Sequence, residues 1–335
     1  MKIIADKNIP FLENRIKGAE LIQLPASAID REAVKDADAL IVRTRTRCDE
    51  SLLLNSKVKV IATATIGTDH IDLPWCRENG IAVSNAPGCN APGVALYVWS
   101  NLLRNGFDPS KSTLGVIGCG NVGGIVARWG ERLGAKVLVS DPPRQEKGFT
   151  DRAYLALEEV LAQSDAISLH TPLTQDGKYP TFHLIGKDSI RHLKPGAIFI
   201  NAARGEVAST DAIIAAIEEG LIHKSIIDTW ENEPNINSRL LELADTATCH
   251  IAGYSVEGKE RATRMALEFI SQTLGLSVDT RGLQGQYKEP DILTPPQIIR
   301  AYDPMEMTAS LKADPSHFES LRNSYTLHSE ICNEK

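Results

Sequence analysis

Gly118-Cys119-Gly120-Asn121-Val122-Gly123 follows the apolar run Thr113-Leu114-Gly115-Val116-Ile117, and Asp141-Pro142-Pro143-Arg144 comes after it. Glycines collect in turns for steric reasons alone, so the flanks decide what the stretch means. A run of strand character leads in, and Val122 to Leu133 is apolar on one face with Arg128, Glu131 and Arg132 on the other. That is the pattern of an amphipathic helix. Strand, glycine loop and helix together read as a dinucleotide site: the glycines permit a tight turn and close approach to a pyrophosphate, and the helix N-terminus offers N–H groups to the phosphates. Asp141 ends the next apolar run, Lys136-Val137-Leu138-Val139-Ser140, at about the twenty-residue distance at which an acidic side chain meets the adenosine ribose hydroxyls. A carboxylate there repels a 2′-phosphate, and Arg144, three residues on, offsets that only in part. The cofactor indicated is NAD, held by Gly118, Gly120, Asn121, Val122, Gly123 and Asp141.

Outward from this stretch, short β-branched runs alternate with helical segments. Lys2-Ile-Ile-Ala, Ala39-Leu-Ile-Val-Arg, Val58-Lys-Val-Ile-Ala-Thr and Ile81-Ala-Val-Ser precede it; Ala166-Ile-Ser-Leu, Ala197-Ile-Phe-Ile-Asn and Ser225-Ile-Ile-Asp follow. Such alternation specifies α/β architecture, here two doubly wound parallel-sheet domains. The glycine loop lies mid-chain, which an insertion explains. A nucleotide domain over 92–251 interrupts a substrate domain made of 1–91 plus 252–275, the latter carrying a returning helix near Val256 to Leu274. Ligands of such folds sit at the carboxyl ends of the strands, and a cleft between the domains is expected to hold the catalytic residues. From 276 to 335 the chain is polar, with Pro295, Pro296, Pro304 and Pro315. Its sparse apolar residues predict either disorder or an arm that packs on a partner subunit to form a homodimer.

A chain of 335 residues with a net charge of -7 and no dense Lys/Arg block is not built for nucleic acid or an anionic membrane. No apolar run approaches the roughly 20 residues of a membrane span, and the start MKIIADKNIP lacks the marks of a signal peptide. A cytoplasmic location is expected. Cys48, Cys76, Cys89, Cys119, Cys249 and Cys332 are scattered without a C-x-x-C pair, which suits reduced thiols and no metal site.

Three charged groups end successive apolar runs beyond the nucleotide motif: Arg204 in NAARGE, Glu233 in DTWENEP and His250 in CHIAGY. Oxidising an alcohol by hydride removal requires a base for the hydroxyl proton, and histidine is suited to that near neutral pH. Glu233 would orient its ring, and a guanidinium at Arg204 matches an α-carboxylate, which points to a 2-hydroxy acid. Taken together, GCGNVG, Asp141, His170-Thr-Pro-Leu, NAARGE, DTWENEP and HIAGY resemble the D-isomer-specific 2-hydroxyacid dehydrogenase family to about residue 275. The resemblance implies a Rossmann nucleotide domain inserted in a flavodoxin-like substrate domain, with a C-terminal dimerisation arm, and makes Arg204, Glu233 and His250 the catalytic trio. It further implies Thr171, Ala202, Asp228 and Gly253 near the cofactor and Thr44, Arg45, Thr65 and Tyr254 near the substrate.

ATATIGTDHID at 62–72, SNAPGCN at 84–90, and the tail segments Arg300-Ala-Tyr-Asp-Pro and Phe318-Glu-Ser-Leu-Arg-Asn-Ser-Tyr are similar to the branch acting on a phosphorylated hydroxy acid. Arg43, Arg45 and Arg47 alternate at a strand end, so period 2 would place all three on one face as a phosphate cradle or as an exposed basic edge. Pro92, Gly93 and Leu96 depart from the family pattern, which carries helix formers and a Glu there. Two rival readings are an enzyme for an unphosphorylated acid such as glycerate and a catalytically silent NAD-binding corepressor; the joint presence of Arg204, Glu233 and His250 disfavours the second.

NAD should bind far more tightly than NADP, and Asp141→Ala should narrow the difference. Fluorescence titration with each cofactor checks this; equal affinity of the unmodified protein for both contradicts the role of Asp141.

Overall fold

Lys2–Asp6 (β1), Glu20–Leu24 (β2), Ala39–Val42 (β3), Val60–Thr63 (β4) and Ala82–Ser84 (β5) form a parallel sheet in the order β2-β1-β3-β4-β5. β3 and β4 are buried along their whole length, which is why they read as unbroken apolar runs. β2 escaped the sequence reading because it is a half-exposed edge strand interrupted by Glu20 and Gln23. These elements belong to a computed structural model that describes residues 1–331, so Cys332 lies outside the described residues. The chain divides into one unit of Met1–Asn90 with Ser255–Lys288, and another of Ala91–Tyr254 with the segment from Glu289 onward.

In the first unit, alternation along the strands sends Ile3, Ala5, Ile41 and Ala62 to one face and Ile4, Leu40, Val42 and Ile61 to the other. Helix Val256–Leu274 covers the former with Ala266, Leu267 and Ile270. Ser255 caps that helix by accepting the Gly258 N–H at 3.1 Å, and Gly275, at φ +69°, ends it in the left-handed region. Gly258 is required by contact: an added Cβ would lie 3.3 Å from the Asn90 Cα and the Cys89 carbonyl oxygen. Leu276 and Leu283 join the same core, and Ser277–Val278 pairs antiparallel with Ile16–Lys17.

The second unit holds a six-stranded parallel sheet of Thr113–Ile117 (β6), Lys136–Ser140 (β7), Ala166–Leu169 (β8), Ala197–Asn201 (β9), Ile222–Ile227 (β10) and Thr246–Ala247 (β11), ordered β7-β6-β8-β9-β10-β11. Chain order reverses at β6, so β6 and β8 flank the topological switch point where such sheets bind ligands. β11 is two residues long and left no periodicity to read. Helix Ala91–Arg104 is almost wholly buried, and Pro92 falls in its first turn, where the missing N–H breaks no helical bond. Its Trp99 donates Nε1–H to the Val126 carbonyl of helix Asn121–Leu133 at 3.0 Å, and Gly130 on that helix leaves room for the Trp99 and Val137 side chains.

The segment from Glu289 onward packs on its own chain. The Glu289 carboxylate accepts Arg128 Nε at 2.8 Å and Trp129 Nε1 at 3.0 Å. Three short helices follow: Pro295–Ala301, Glu306–Ala313 and Phe318–Asn323. Ser100 Oγ donates to the Tyr302 carbonyl at 2.7 Å and Arg104 Nη2 to the Ile299 carbonyl at 2.7 Å, while Leu311 and Phe318 enter the second unit's core. Each helix contributes one or two anchors, too few for a separate core but enough to extend an existing one. Of the two expectations for this segment, disorder is overturned by this packing.

Phe318→Ala should destabilise the protein by about 3–5 kcal/mol, the cost of emptying a packed aromatic site. Urea unfolding checks this; a change no larger than that of an exposed residue contradicts the placement of the segment in the core.

Candidate active site

Gly118 follows β6 at φ +87°, where a Cβ would sit 2.9 Å from the His170 carbonyl and 3.0 Å from Thr171 Cγ2. A Cβ on Gly123 would lie 1.9 Å from the Gly118 carbonyl oxygen. Both glycines are therefore dictated by backbone contact at the switch point. Helix Asn121–Leu133 begins after Gly120 without a side-chain cap, leaving the N–H groups of its first turn for a ligand. Thr171 Oγ1 is buried and has no protein partner among the described residues. Asp141, half-buried after β7, accepts the Cys119 N–H at 2.7 Å and the Arg144 N–H at 3.0 Å, which fixes its carboxylate beside the glycine loop. The Arg144 guanidinium is occupied elsewhere, with Nε on the Tyr154 hydroxyl at 3.0 Å and the group 3.9 Å over the Phe149 ring. This arrangement fits a dinucleotide diphosphate at the helix end and a ribose at Asp141.

The groups expected to do chemistry follow β9, β10 and β11, which are neighbours in the sheet. Beyond β9 the buried Asn201 side chain folds the next turn: its Nδ2 donates to the Arg204 carbonyl at 3.0 Å, and its Oδ1 accepts the Ala203 N–H at 3.2 Å. Ala202 and Arg204 are half-buried on that turn. A Cβ on Gly205 would strike the Trp230 carbonyl carbon at 2.0 Å, so the Arg204 turn lies directly against the loop beyond β10. On that loop Glu233 accepts the Trp230 N–H at 2.9 Å through Oε1 and faces His250 Nδ1 at 2.9 Å through Oε2.

Asp228 ties the β10 end to the loop beyond β11. Its carbonyl accepts the His250 N–H at 2.8 Å; its carboxylate accepts the Thr248 hydroxyl at 2.6 Å and the N–H groups of Ile251 at 2.8 Å and Ala252 at 3.0 Å. Thr248 spends its one hydroxyl hydrogen on Asp228, so Tyr97 must donate to Thr248 across their 2.9 Å contact. His250 itself lies in the left-handed region at φ 55°, uncommon for any residue but glycine, though less so for Asn, Asp and His. Gly253 lies in the turn that the Tyr254 N–H closes on the Ile251 carbonyl at 2.8 Å.

Two histidines lie at strand ends of this unit, and their surroundings separate them. His170 is pushed down to about 3 by burial, so it stays neutral throughout the working range. His250 is partly exposed and faces a carboxylate. Burial pushes the Glu233 carboxyl up, but the His250 ring, the Trp230 N–H and the Arg322 guanidinium outweigh it and hold the group below the usual carboxylate range. An ionised carboxylate only accepts, so the ring nitrogen facing it, Nδ1, carries a hydrogen, and Nε2 is the nitrogen turned away from Glu233.

In the first unit, Thr44 and Arg45 are exposed in a turn after β3, and Thr65 follows the adjacent β4. Thr65 Oγ1 donates to the Gly67 carbonyl at 3.1 Å and lies 2.6 Å from Thr63 Oγ1. The cradle of three arginines does not form as periodicity suggested, because β3 ends at Val42 and the Thr46 N–H closes a turn on the Arg43 carbonyl. Arg43 Nη1 is drawn to the Asn8 carbonyl at 3.1 Å and Arg47 to Asp49 at 2.6 Å. Cys48, Cys76, Cys119 and Cys249 are buried free thiols, Cys89 is buried as well, and burial pushes Cys48 and Cys249 up to about 12. Asn201, Thr248 and Tyr97 were missed, since their partners are distant in sequence or are backbone groups.

Residues 95–252 match the model of the D-isomer specific 2-hydroxyacid dehydrogenase NAD binding domain. Over 98% of this chain and 97% of the relative's length, the sequence is 43% identical to the erythronate-4-phosphate dehydrogenase of Bacteroides fragilis. Among solved structures, NAD+-bound 3-phosphoglycerate dehydrogenase of Entamoeba histolytica superposes with a TM-score of 0.68 at 29% identity, covering 86% of this chain and 99% of the other. The D-lactate dehydrogenase of Aquifex aeolicus, complexed with NAD and lactic acid, gives 0.65 at 28% identity over 82% of this chain and 96% of its own. The chain belongs to the D-isomer-specific 2-hydroxyacid dehydrogenase family.

Proposed function

We propose that this chain, an NAD-dependent oxidoreductase acting on a CH–OH group, oxidises 4-phospho-D-erythronate at C2 to 2-oxo-3-hydroxy-4-phosphobutanoate in pyridoxal 5′-phosphate biosynthesis. The name and the near-complete coverage of the Bacteroides relative support the substrate. The Glu233–His250 contact at 2.9 Å carries the chemistry. NAD, when bound at the glycine loop with Asp141, Thr171, Ala202, Asp228 and Gly253 about it, supplies the acceptor for the hydride leaving C2.

His250 Nε2 takes the proton of the C2 hydroxyl, and Glu233 accepts a hydrogen bond from Nδ1–H, which stabilises the resulting imidazolium without taking its proton. Arg204 holds the substrate carboxylate, its planar fork matching the two oxygens. Tyr254 hydrogen-bonds the substrate, and Thr44, Arg45 and Thr65 receive its phosphate. Binding energy from that remote group then supports turnover as well as affinity. Buried thiols and the NAD requirement fit a cytoplasmic enzyme, and a homodimer is the proposed assembly, to be read from its mass in light scattering.

Removing the base in His250→Ala should lower turnover by roughly 100-fold or more; an unchanged kcat contradicts the mechanism. Arg45→Ala should weaken the phosphorylated substrate selectively. Comparing kcat/KM for erythronate with and without the 4-phosphate tests the substrate directly: a strong preference for the phosphorylated acid is expected, and a ratio near one moves the assignment to an unphosphorylated acid such as glycerate.

A further inference from the structure

Two charges of opposite sign stand together after β7, Asp141 and Arg144. The Arg144 N–H donates to Asp141 Oδ1 at 3.0 Å, so the carboxylate lies within reach of a side chain as long as arginine's. A guanidinium placed there would draw in the 2′-phosphate that Asp141 repels. It is held elsewhere. Arg144 Nε donates to the Tyr154 hydroxyl at 3.0 Å, Nη2 lies 3.5 Å from Asp151 Oδ1, and the group sits 3.9 Å over the Phe149 ring. Tyr154 closes the arrangement by donating its own hydrogen to Asp151 Oδ1 at 2.8 Å. Backbone bonds fix two of the three holders. The Leu155 N–H donates to the Val139 carbonyl of β7 at 2.8 Å, which anchors the chain beside Tyr154, and the Phe149 N–H donates to the Arg144 carbonyl at 3.2 Å.

We propose that Tyr154 and Asp151 are specificity-determining residues for the cofactor: they sequester the Arg144 guanidinium, so that Asp141 alone meets the adenosine ribose and NAD is chosen over NADP. A phenol suits this holding role because it accepts from Nε–H while donating to a carboxylate, and one side chain thereby joins a cation to an anion. Phenylalanine in its place keeps the ring and loses both bonds. Asp151 supplies the countercharge and also faces Arg152 Nε at 3.6 Å, so it engages two cations.

This inference rests on the proposed contact of Asp141 with the ribose, and its test separates the two. Dissociation constants of NAD and NADP are measured by fluorescence titration at low ionic strength for Asp141→Ala, in which the repulsion is gone, and for the same variant carrying Tyr154→Phe and Asp151→Asn. Both proteins are also prepared with Arg144→Ala. Asp151 is exposed and Tyr154 half-buried, so neither change empties a core, and the NAD constant reports an intact site. Freeing the guanidinium with Tyr154→Phe and Asp151→Asn is expected to tighten NADP by about 5-fold relative to Asp141→Ala, the upper end for a solvent-exposed ion pair, and added salt should erode the gain. With Arg144→Ala the same two changes should yield no gain. NADP affinity that stays at the Asp141→Ala level overturns the proposal, as does a gain that survives the loss of Arg144. If Asp141→Ala by itself leaves NADP binding unchanged, the reading of Asp141 falls and the proposal with it.

Discussion

The arrangement at the candidate site depends on one buried carboxylate. Asp228 is 1% exposed, and burial raises its carboxyl, against the opposing effects of His250, the Thr248 hydroxyl and two backbone N–H groups. Three donors converge on it, two of them from Ile251 and Ala252, immediately after His250. A carboxylate in such surroundings is tolerated only when its acceptor capacity is met, and each partner lost leaves a buried group unpaired at a cost of about 1–3 kcal/mol. The left-handed residue His250 is followed directly by the two N–H groups that bond Asp228. These bonds present the ring to Glu233, whose Oε2 faces its Nδ1 at 2.9 Å.

The parallel sheet explains how distant residues reach one place. Asn201, Asp228 and His250 are joined by backbone bonds that continue the β9-β10-β11 order past the strand ends: Asp228 N–H to the Asn201 carbonyl at 2.9 Å, and His250 N–H to the Asp228 carbonyl at 2.8 Å. Gly205 then lets the Arg204 turn lie against Trp230 without a side chain between them. Position in the fold distinguishes His250 from His170, which also follows a strand but lies half-buried beside Ser168 and stays neutral.

Local features were legible in the sequence. The glycine loop, Asp141 and the returning helix Val256–Leu274 carry strong periodicity or a motif with a mechanism, and they appear at the expected residues. Glu233 and His250 could be paired because both end apolar runs and their chemistry is complementary. Two kinds of feature were hidden. Edge strands β2 and β11 are too polar or too short to show a period. The packing of Leu311 and Phe318 could not be read either, since a few apolar residues among prolines suit an extension of an existing core and a partner surface equally well. The arginine cradle failed for a specific reason: alternation holds only while the strand lasts, and β3 stops one residue before Arg43.

The dependence of catalysis on Asp228 is tested most directly by Asp228→Asn, which keeps the shape of the side chain while turning an acceptor into a donor. With the preferred 2-hydroxy acid, kcat should fall by about 100-fold, as a misplaced base requires, while the thermal transition stays cooperative. Turnover equal to that of the unmodified enzyme would contradict the account.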